Sequence, residues 1–304
     1  MEFELITEGL EFPEGPIAMA DGSVVLVEIK RQTLTRVHPD GRQEIIAELG
    51  GGPNGAAIGP DGAVYVCNNG GFQWNEAGGL TLPHGTPDYY VTGSIQRVDL
   101  ATGEVTTLYS ECDGKPLRGP NDIVFDADGG FWFTDLGKSN GDVSHVGHLH
   151  YATIDGSRIV LARDGMTTPN GVGLSPDGKQ VFVAETQTGR LWEFDVAAPG
   201  ELAAPADMWT AGKVMGPLPG YQLFDSLAVE ANGRVCVATL VNGGITSFDP
   251  ADGTWEHYAF PDPITTNICF GGDDMQTAFI TCSGTGKLYK ARWPRPGLKL
   301  NFNA

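Results

Sequence analysis

The chain has 304 residues, with 38 acidic against 19 basic side chains; its net charge of −19 repels nucleic acid and anionic membranes, so neither is expected as a partner. Forty-three glycines and 20 prolines, many in Asp-Gly, Pro-Asp and Gly-Gly pairs between short apolar runs, argue for turns and short strands rather than helices. No run approaches the roughly 20 apolar residues of a membrane helix. The five scattered cysteines (Cys67, Cys112, Cys236, Cys269, Cys282) contain no Cys-x-x-Cys and fit reduced thiols, and Met1-Glu2-Phe3-Glu4-Leu5 lacks the basic-then-apolar pattern of a signal peptide, so a cytoplasmic protein is expected.

Read in chain order, a strand over 3–7 comes first, followed by one figure repeated six times. The copies begin near 12, 52, 119, 168, 223 and 265. They read Phe12-Pro13-Glu14-Gly15-Pro16, Gly52-Pro53-Asn54-Gly55, Gly119-Pro120-Asn121-Asp122, Thr168-Pro169-Asn170-Gly171, Leu223-Phe224-Asp225-Ser226 and Thr265-Thr266-Asn267-Ile268. In each, an oxygen-bearing residue precedes a turn residue by seven: Glu14 and Asp21, Asn54 and Asp61, Asn121 and Asp128, Asn170 and Asp177, Asp225 and Asn232, Asn267 and Asp274. Apolar strands follow the turns over 24–27, 64–66, 131–133, 181–183, 235–237 and 278–280, rich in Val, Phe and Tyr. A further strand pair then follows, as over 33–37 and 43–47 around Pro39-Asp40-Gly41.

Units of four antiparallel strands, about fifty residues each, predict an all-β, six-bladed β-propeller forming one domain over 1–304. A solenoid would need capping repeats and a tighter period. Repeat six has a third strand over 287–292 and then breaks at Pro294-Arg295-Pro296-Gly297, so the strand over 3–7 is expected to supply its fourth and close the ring.

The first strand of a propeller blade lines the central channel, which brings Glu14, Asn54, Asn121, Asn170, Asp225 and Asn267 together at one mouth. Six carboxylate or carboxamide oxygens suit a hard cation, Ca²⁺, Mg²⁺ or Mn²⁺. Any one of these residues alone reads as a strand-starting Asn or Asp bonded to local backbone; six in register favour a metal. Strand direction puts the long insertions on the same face: 69–92 with Phe72, Trp74, His84 and Tyr89-Tyr90, 136–146 with Lys138 and His145, and the link 199–223. The aromatic 69–92 loop is a candidate lid. A second ring, Glu28, Asn68, Asp135, Glu185, Thr239 and Cys282, ends the second strands, and Asp135 and Glu185 read as solvated strand ends. His148 and His150 share one side of their strand and read as hydrogen-bonded blade residues. No Gly-x-Ser-x-Gly, Gly-Lys-Ser/Thr or His-Glu-x-x-His occurs, which removes serine hydrolase, P-loop and zincin readings.

Pro13-Glu14-Gly15-Pro16, Pro120-Asn121-Asp122, Pro169-Asn170-Gly171, Phe224-Asp225-Ser226 and the run from Thr266 to Gly272 that closes on Phe270-Gly271-Gly272 resemble the SMP-30/gluconolactonase/luciferin-regenerating-enzyme family, from Phe12 to Tyr289. The resemblance implies a six-bladed propeller with one divalent metal, Ca²⁺ first and Mg²⁺, Mn²⁺, Zn²⁺ or Fe²⁺ as alternatives. It implies metal ligands Glu14, Asn170 and Asp225, Asn121 as a further ligand or substrate contact, and Asp225 as general base. Arg118 matches the family's substrate-binding arginine, although Gly119-Pro120 displace it by one residue. With Asn121, Asn54, Trp74 and His148 it makes up the expected substrate-binding set. The expected activity is metal-dependent opening of a small-molecule lactone or ester, by a monomer or small homo-oligomer. A phosphotriesterase-like hydrolase with Asp225 as nucleophile, an isomerase or cyclase, and a non-enzymatic metal-binding propeller are the alternatives.

Overall fold

The structure is a computed structural model that describes residues 1–205, 207 and 211–302. Regular structure among them is all strand, in six principal sheets arranged as blades about one channel. Among the described residues no helix is long and apolar enough to cross a membrane.

Blade one runs outward through Pro13–Ala18, Val24–Glu28, Thr33–Val37 and Gln43–Glu48. Blade two uses Pro53–Ile58, Val64–Asn68, Ser94–Val98 and Val105–Tyr109, and blade three Pro120–Phe125, Gly130–Asp135, Gly147–Thr153 and Ile159–Met166. Blade five is Leu223–Val229, Val235–Leu240, Gly244–Phe248 and Trp255–Ala259. In blade six, Thr265–Gly271, Thr277–Cys282 and Lys287–Arg292 are completed by Phe3–Glu8, paired antiparallel from Phe3 opposite Ala291 to Glu8 opposite Lys287. The chain's first strand thus covers the last blade's edge, as the broken repeat predicts, and leaves no open sheet in the ring.

Blade four departs from expectation. Its third strand is long, Arg190–Ala198, and its fourth is the short Lys213–Met215, which lies inside the link 199–223. Glu201–Leu202 folds back on the end of the third strand. Three residues among glycines carry no alternation to read, so the sequence gives this strand no signal. Positions 206 and 208–210 of the link lie outside the described residues.

The turns explain their own sequence. Asp21, Asp61, Asp177, Asn232 and Asp274 each accept the N–H two residues on through a side-chain oxygen, at 2.9–3.2 Å. In blade three, Asp126 does this for Asp128. Glycine follows the turn residue in five blades. Blade six puts Met275 there, and it adopts the left-handed φ of 55°.

Apolar faces pack between blades. Tyr65, Phe125 and Phe131 join blades two and three with ring centroids 5.2–5.9 Å apart. Phe270, Trp293 and Tyr258 join blades five and six. Each fully buried side chain of this size contributes roughly 1.5–3 kcal/mol.

Candidate functional site

The inner strand of every blade carries a β-bulge near its start; in blade one it falls just after Glu14, which pairs with Val27, and in blade six just before Asn267, which pairs with Thr281. Pairing with the second strand breaks between Glu14 and Ile17, Pro53 and Ala56, Pro120 and Ile123, Pro169 and Val172, Phe224 and Leu227, and Thr265 and Asn267. A bulge re-aims side chains and ends local pairing. Here it frees successive residues from the pleat at the channel, whose wall Asp122 and Asn267 help to form. Glycines let neighbouring bulges touch. A Cβ on Gly55 would stand 2.5 Å from the Asn121 carbonyl oxygen, and one on Gly171 would stand 2.7 Å from Leu227 N and 2.8 Å from the Asp225 carbonyl oxygen.

Glu14, Asn54, Asn121, Asn170 and Asn267 are buried and Asp225 is half-buried. Their roles differ. Glu14 Oε2 accepts the Gly15 N–H at 2.6 Å and Asn267 Nδ2 at 2.7 Å. Asn267 Oδ1 accepts the Ile268 N–H at 2.8 Å, so both ends of this amide are engaged in orienting Glu14. Asn170 Nδ2 donates to Thr186 Oγ1 at 3.1 Å, and its Oδ1 receives the Ser226 hydroxyl at 3.3 Å. The Asn54 amide makes no hydrogen bond with another described residue. Asn121 Oδ1 is buried with no partner, a state that costs about 1–3 kcal/mol.

One member went unread in the sequence. Asp122 is buried beside Asn121, and its two oxygens accept the Ile123 and Val172 N–H groups at 2.9 and 3.3 Å. Burial pushes Glu14 up from 4.5 to about 7. Burial and then the Glu14 charge push Asp122 up from 3.8 to about 8 and raise Asp225 well above its ordinary range. No described lysine, arginine or histidine pairs with any of the three. Three mutually repelling carboxyls and an orphaned carboxamide oxygen form a donor set that a hard cation fits. Among the described residues no three His, Cys, Asp or Glu side chains are placed to hold a metal, so such a shell draws on the asparagine oxygens beside Glu14 and Asp225.

The second ring is not solvated. Glu28, Asn68, Asp135 and Glu185 are buried and clamp the chain arriving at each inner strand. Glu28 accepts the Glu11 N–H at 2.7 Å and Asn68 the Gly52 N–H at 2.8 Å. Asp135 accepts those of Arg118, Gly119 and Gly137 at 2.7, 2.7 and 3.0 Å, and Glu185 that of Thr167 at 2.7 Å. Reading Asp135 and Glu185 as solvated ends is therefore corrected: their oxygens satisfy backbone N–H groups that no strand ladder reaches.

Of the expected substrate residues, Arg118 sits three residues before Asn121, and its guanidinium makes no hydrogen bond or ion pair with a described residue. Trp74 packs on Phe12, ring centroids 5.0 Å apart, two residues ahead of Glu14. Phe12 itself holds a left-handed φ of 60°, a strained state for a bulky residue that costs about 1–3 kcal/mol. His148 lies outside the ring. Its Nδ1 is 3.1 Å from Asp164 on the outermost strand, and the neighbouring His150 stacks on Phe133 with its pKa lowered by burial to about 4. Neither His150 nitrogen has a hydrogen-bond partner, so the hydrogen-bonded reading of this histidine is corrected to a stacked, neutral one.

The 69–92 insertion is a hairpin, Gln73–Ala77 with Leu80–His84, turning at Gly78-Gly79. It crosses blade one: Glu76 pairs with Lys30, and the Thr81 N–H reaches the Gly284 carbonyl of blade six at 2.8 Å. At the other end of the channel is a cavity of about 470 Å³ lined by Val124, Val172, Leu227 and Phe270, with residues 298–301 along its edge.

Residues 12–284 match the family described as SMP-30/Gluconolactonase/LRE-like region. A gluconolactonase of Zymomonas mobilis subsp. mobilis is 25% identical over 305 residues, covering 92% of this chain and 78% of that protein. A lactonase, drp35, of Staphylococcus saprophyticus subsp. saprophyticus is 26% identical over 248 residues, covering 81% and 68%. The solved structure of a gluconolactonase from Xanthomonas campestris superposes with a TM-score of 0.74 at 21% identity, over 96% of this chain and 89% of that one, which shows the shared fold.

Proposed function

The chain belongs to the SMP-30/gluconolactonase/LRE-like family, and from that premise we propose that it is a lactonase, holding one divalent cation in the ring and opening a cyclic ester with water. The observation that carries the reading is the buried, unpartnered Asn121 Oδ1 next in sequence to Asp122, one of three carboxyls that no described cationic side chain pairs with. Relatives named gluconolactonase and lactonase support a lactone as the substrate class.

Glu14, Asn170 and Asp225 hold the ion, and Asn121 completes the shell or contacts the substrate. An all-oxygen set favours Ca²⁺, with Mg²⁺ or Mn²⁺ next, over Zn²⁺ or Fe²⁺. When bound, the cation supplies Lewis-acid polarisation of the lactone carbonyl and positive charge beside the oxyanion. Asn267 and the Gly15 N–H fix the Glu14 carboxylate in one orientation, and Ser226 and Thr186 fix Asn170. Asp225 takes a proton from the attacking water. Without the ion, burial raises the proton affinity of Asp225; beside a bound cation that rise is opposed and the carboxylate stays ionised, ready to accept the proton. Asn54 and the free Arg118 guanidinium bind substrate hydroxyl or carboxylate groups, and Trp74 covers the apolar side. His148, engaged with Asp164, takes no part in this reading.

The test is a panel of γ- and δ-lactones given to EDTA-stripped protein that is then re-metallated ion by ion. Activity is expected to vanish on stripping and to return best with Ca²⁺. Asp225→Asn is expected to lose about 10²-fold or more in kcat. Full lactone hydrolysis by stripped protein would contradict the reading.

A further inference from the structure

Lys138 stands in the insertion after the second strand of blade three and is 7% exposed. Its Nζ donates to the Gly71 carbonyl oxygen at 2.6 Å and lies 3.4 Å from Asn69 Oδ1. It sits 4.2 Å from the centroid of the Phe72 ring and 5.2 Å from that of Tyr90. No described carboxylate forms an ion pair with it. A buried ammonium needs compensation, and here every group in direct contact with it comes from the blade-two insertion, as carbonyl oxygens and ring faces. Asn69, Gly71 and Phe72 are the residues that lead directly into the hairpin over Gln73–Ala77 and Leu80–His84, whose Trp74 packs on Phe12 beside Glu14.

We propose that the Lys138 side chain is the clip that fixes the root of this hairpin at the channel mouth, and so is a positioning residue for substrate binding. The hydrogen bond to Gly71 outlasts the charge, since a neutral amine still donates, and only the attraction to the two ring faces goes with it. Burial lowers Lys138 from 10.5 to about 7, against the opposing pull of the Asp135 charge. The groups that face it are Asp135, anchored by three backbone N–H groups; Tyr90, whose hydroxyl donates to the Arg118 carbonyl at 2.8 Å; and His145, whose Nδ1 lies 3.0 Å from the Lys138 carbonyl. A folded-state value below the ordinary one means that the packed site disfavours the charge, so the hairpin is held least firmly below about pH 7 and tightens as the pH rises above it.

Hydrogen exchange over residues 73–84 of the intact protein, at pH 6 and pH 8.5 and corrected for intrinsic rates, tests this without reference to activity. Wild-type protection is expected to rise about fivefold or more between the two, and a fall overturns the proposal. Lys138→Arg, charged at both, shows no rise, and Lys138→Met, without the donor, is open at both. KM for the best lactone of the panel is expected to rise several-fold in Lys138→Met while kcat stays within about twofold. That arm rests on the lactonase reading, whereas the exchange arm does not, so failure of one is distinguishable from failure of the other. Wild-type protection that does not change with pH, or equals that of Lys138→Met, overturns the proposal, and this comparison decides even if the bulkier arginine variant misfolds.

Discussion

Without a divalent cation, the ring should oppose folding as the pH rises, and Glu14→Gln should remove much of that opposition. Glu14 titrates at about 7 in the folded chain against 4.5 when exposed. A folded-state value raised above the unfolded one contributes stability that is complete below about pH 4.5 and is lost as the pH climbs through about 7. At about 1.4 kcal/mol per tenfold in proton affinity, that gap amounts to ~3 kcal/mol. For a chain of this size the corresponding fall in melting temperature is on the order of 5–10 °C. Asp122, raised to about 8, acts in the same direction. Surface carboxyls do not mask the effect, because those held low by local hydrogen bonds, such as Asp155 at about 2, finish titrating below pH 5. The assay is thermal unfolding followed by circular dichroism in EDTA at pH 5, 6, 7 and 8, with Ca²⁺ restored in a parallel series. His150 and Lys138, whose values burial lowers, gain stability over the same range, so the readout is the difference between wild type and Glu14→Gln: wild type should lose melting temperature relative to the variant at each step, and Ca²⁺ should recover the loss at pH 8. A difference that stays level from pH 5 to pH 8 in EDTA would refute the electrostatic account of the ring.

Gly171→Ala places a methyl 2.7–2.8 Å from backbone atoms of Leu227 and Asp225; about 1–3 kcal/mol of destabilisation and a cation affinity at least tenfold weaker are expected by thermal melts and calorimetry. The control Gly178→Ala, at a turn with open space and a φ of 69°, should cost about 1 kcal/mol and leave cation affinity unchanged. Asp135→Ala leaves the N–H groups of Arg118, Gly119 and Gly137 without their acceptor, and urea unfolding should show a loss of about 2–4 kcal/mol. Trp74→Ala should raise KM for lactones bearing apolar substituents more than for polyhydroxylated ones, read from initial rates; an equal rise for both would remove Trp74 from the apolar wall.

The blades were legible because turn chemistry and strand burial repeat together. In five blades seven residues separate the channel residue from the Asp or Asn that accepts an N–H in the following turn; in blade three Asp126 accepts it in place of Asp128. Proline at 294 and 296 showed that blade six lacked a strand, and Phe3–Glu8 supplies it. Asp122 was not legible because strict alternation assigns neighbours to opposite faces, whereas the bulge between Pro120 and Ile123 brings Asn121 and Asp122 to the channel together. The signal that was available is a small or polar pair at one point of four inner strands: Asn54-Gly55, Asn121-Asp122, Asn170-Gly171 and Asp225-Ser226. The burial of Asp135 and Glu185 could not be read, since a carboxylate ending a strand is ordinarily hydrated, and the N–H groups that hold it come from a distant link. The hairpin at Gly78-Gly79 did carry a turn signal. Its reach to Gly284 did not, being a contact between blades two and six.

The most direct test of the central claim is calorimetric titration of EDTA-stripped protein with Ca²⁺ at pH 7.5. One site per chain is predicted, weakened at least 100-fold by Glu14→Gln and by Asp225→Asn separately. Absence of binding by the wild type, or undiminished binding by the double variant, would contradict it.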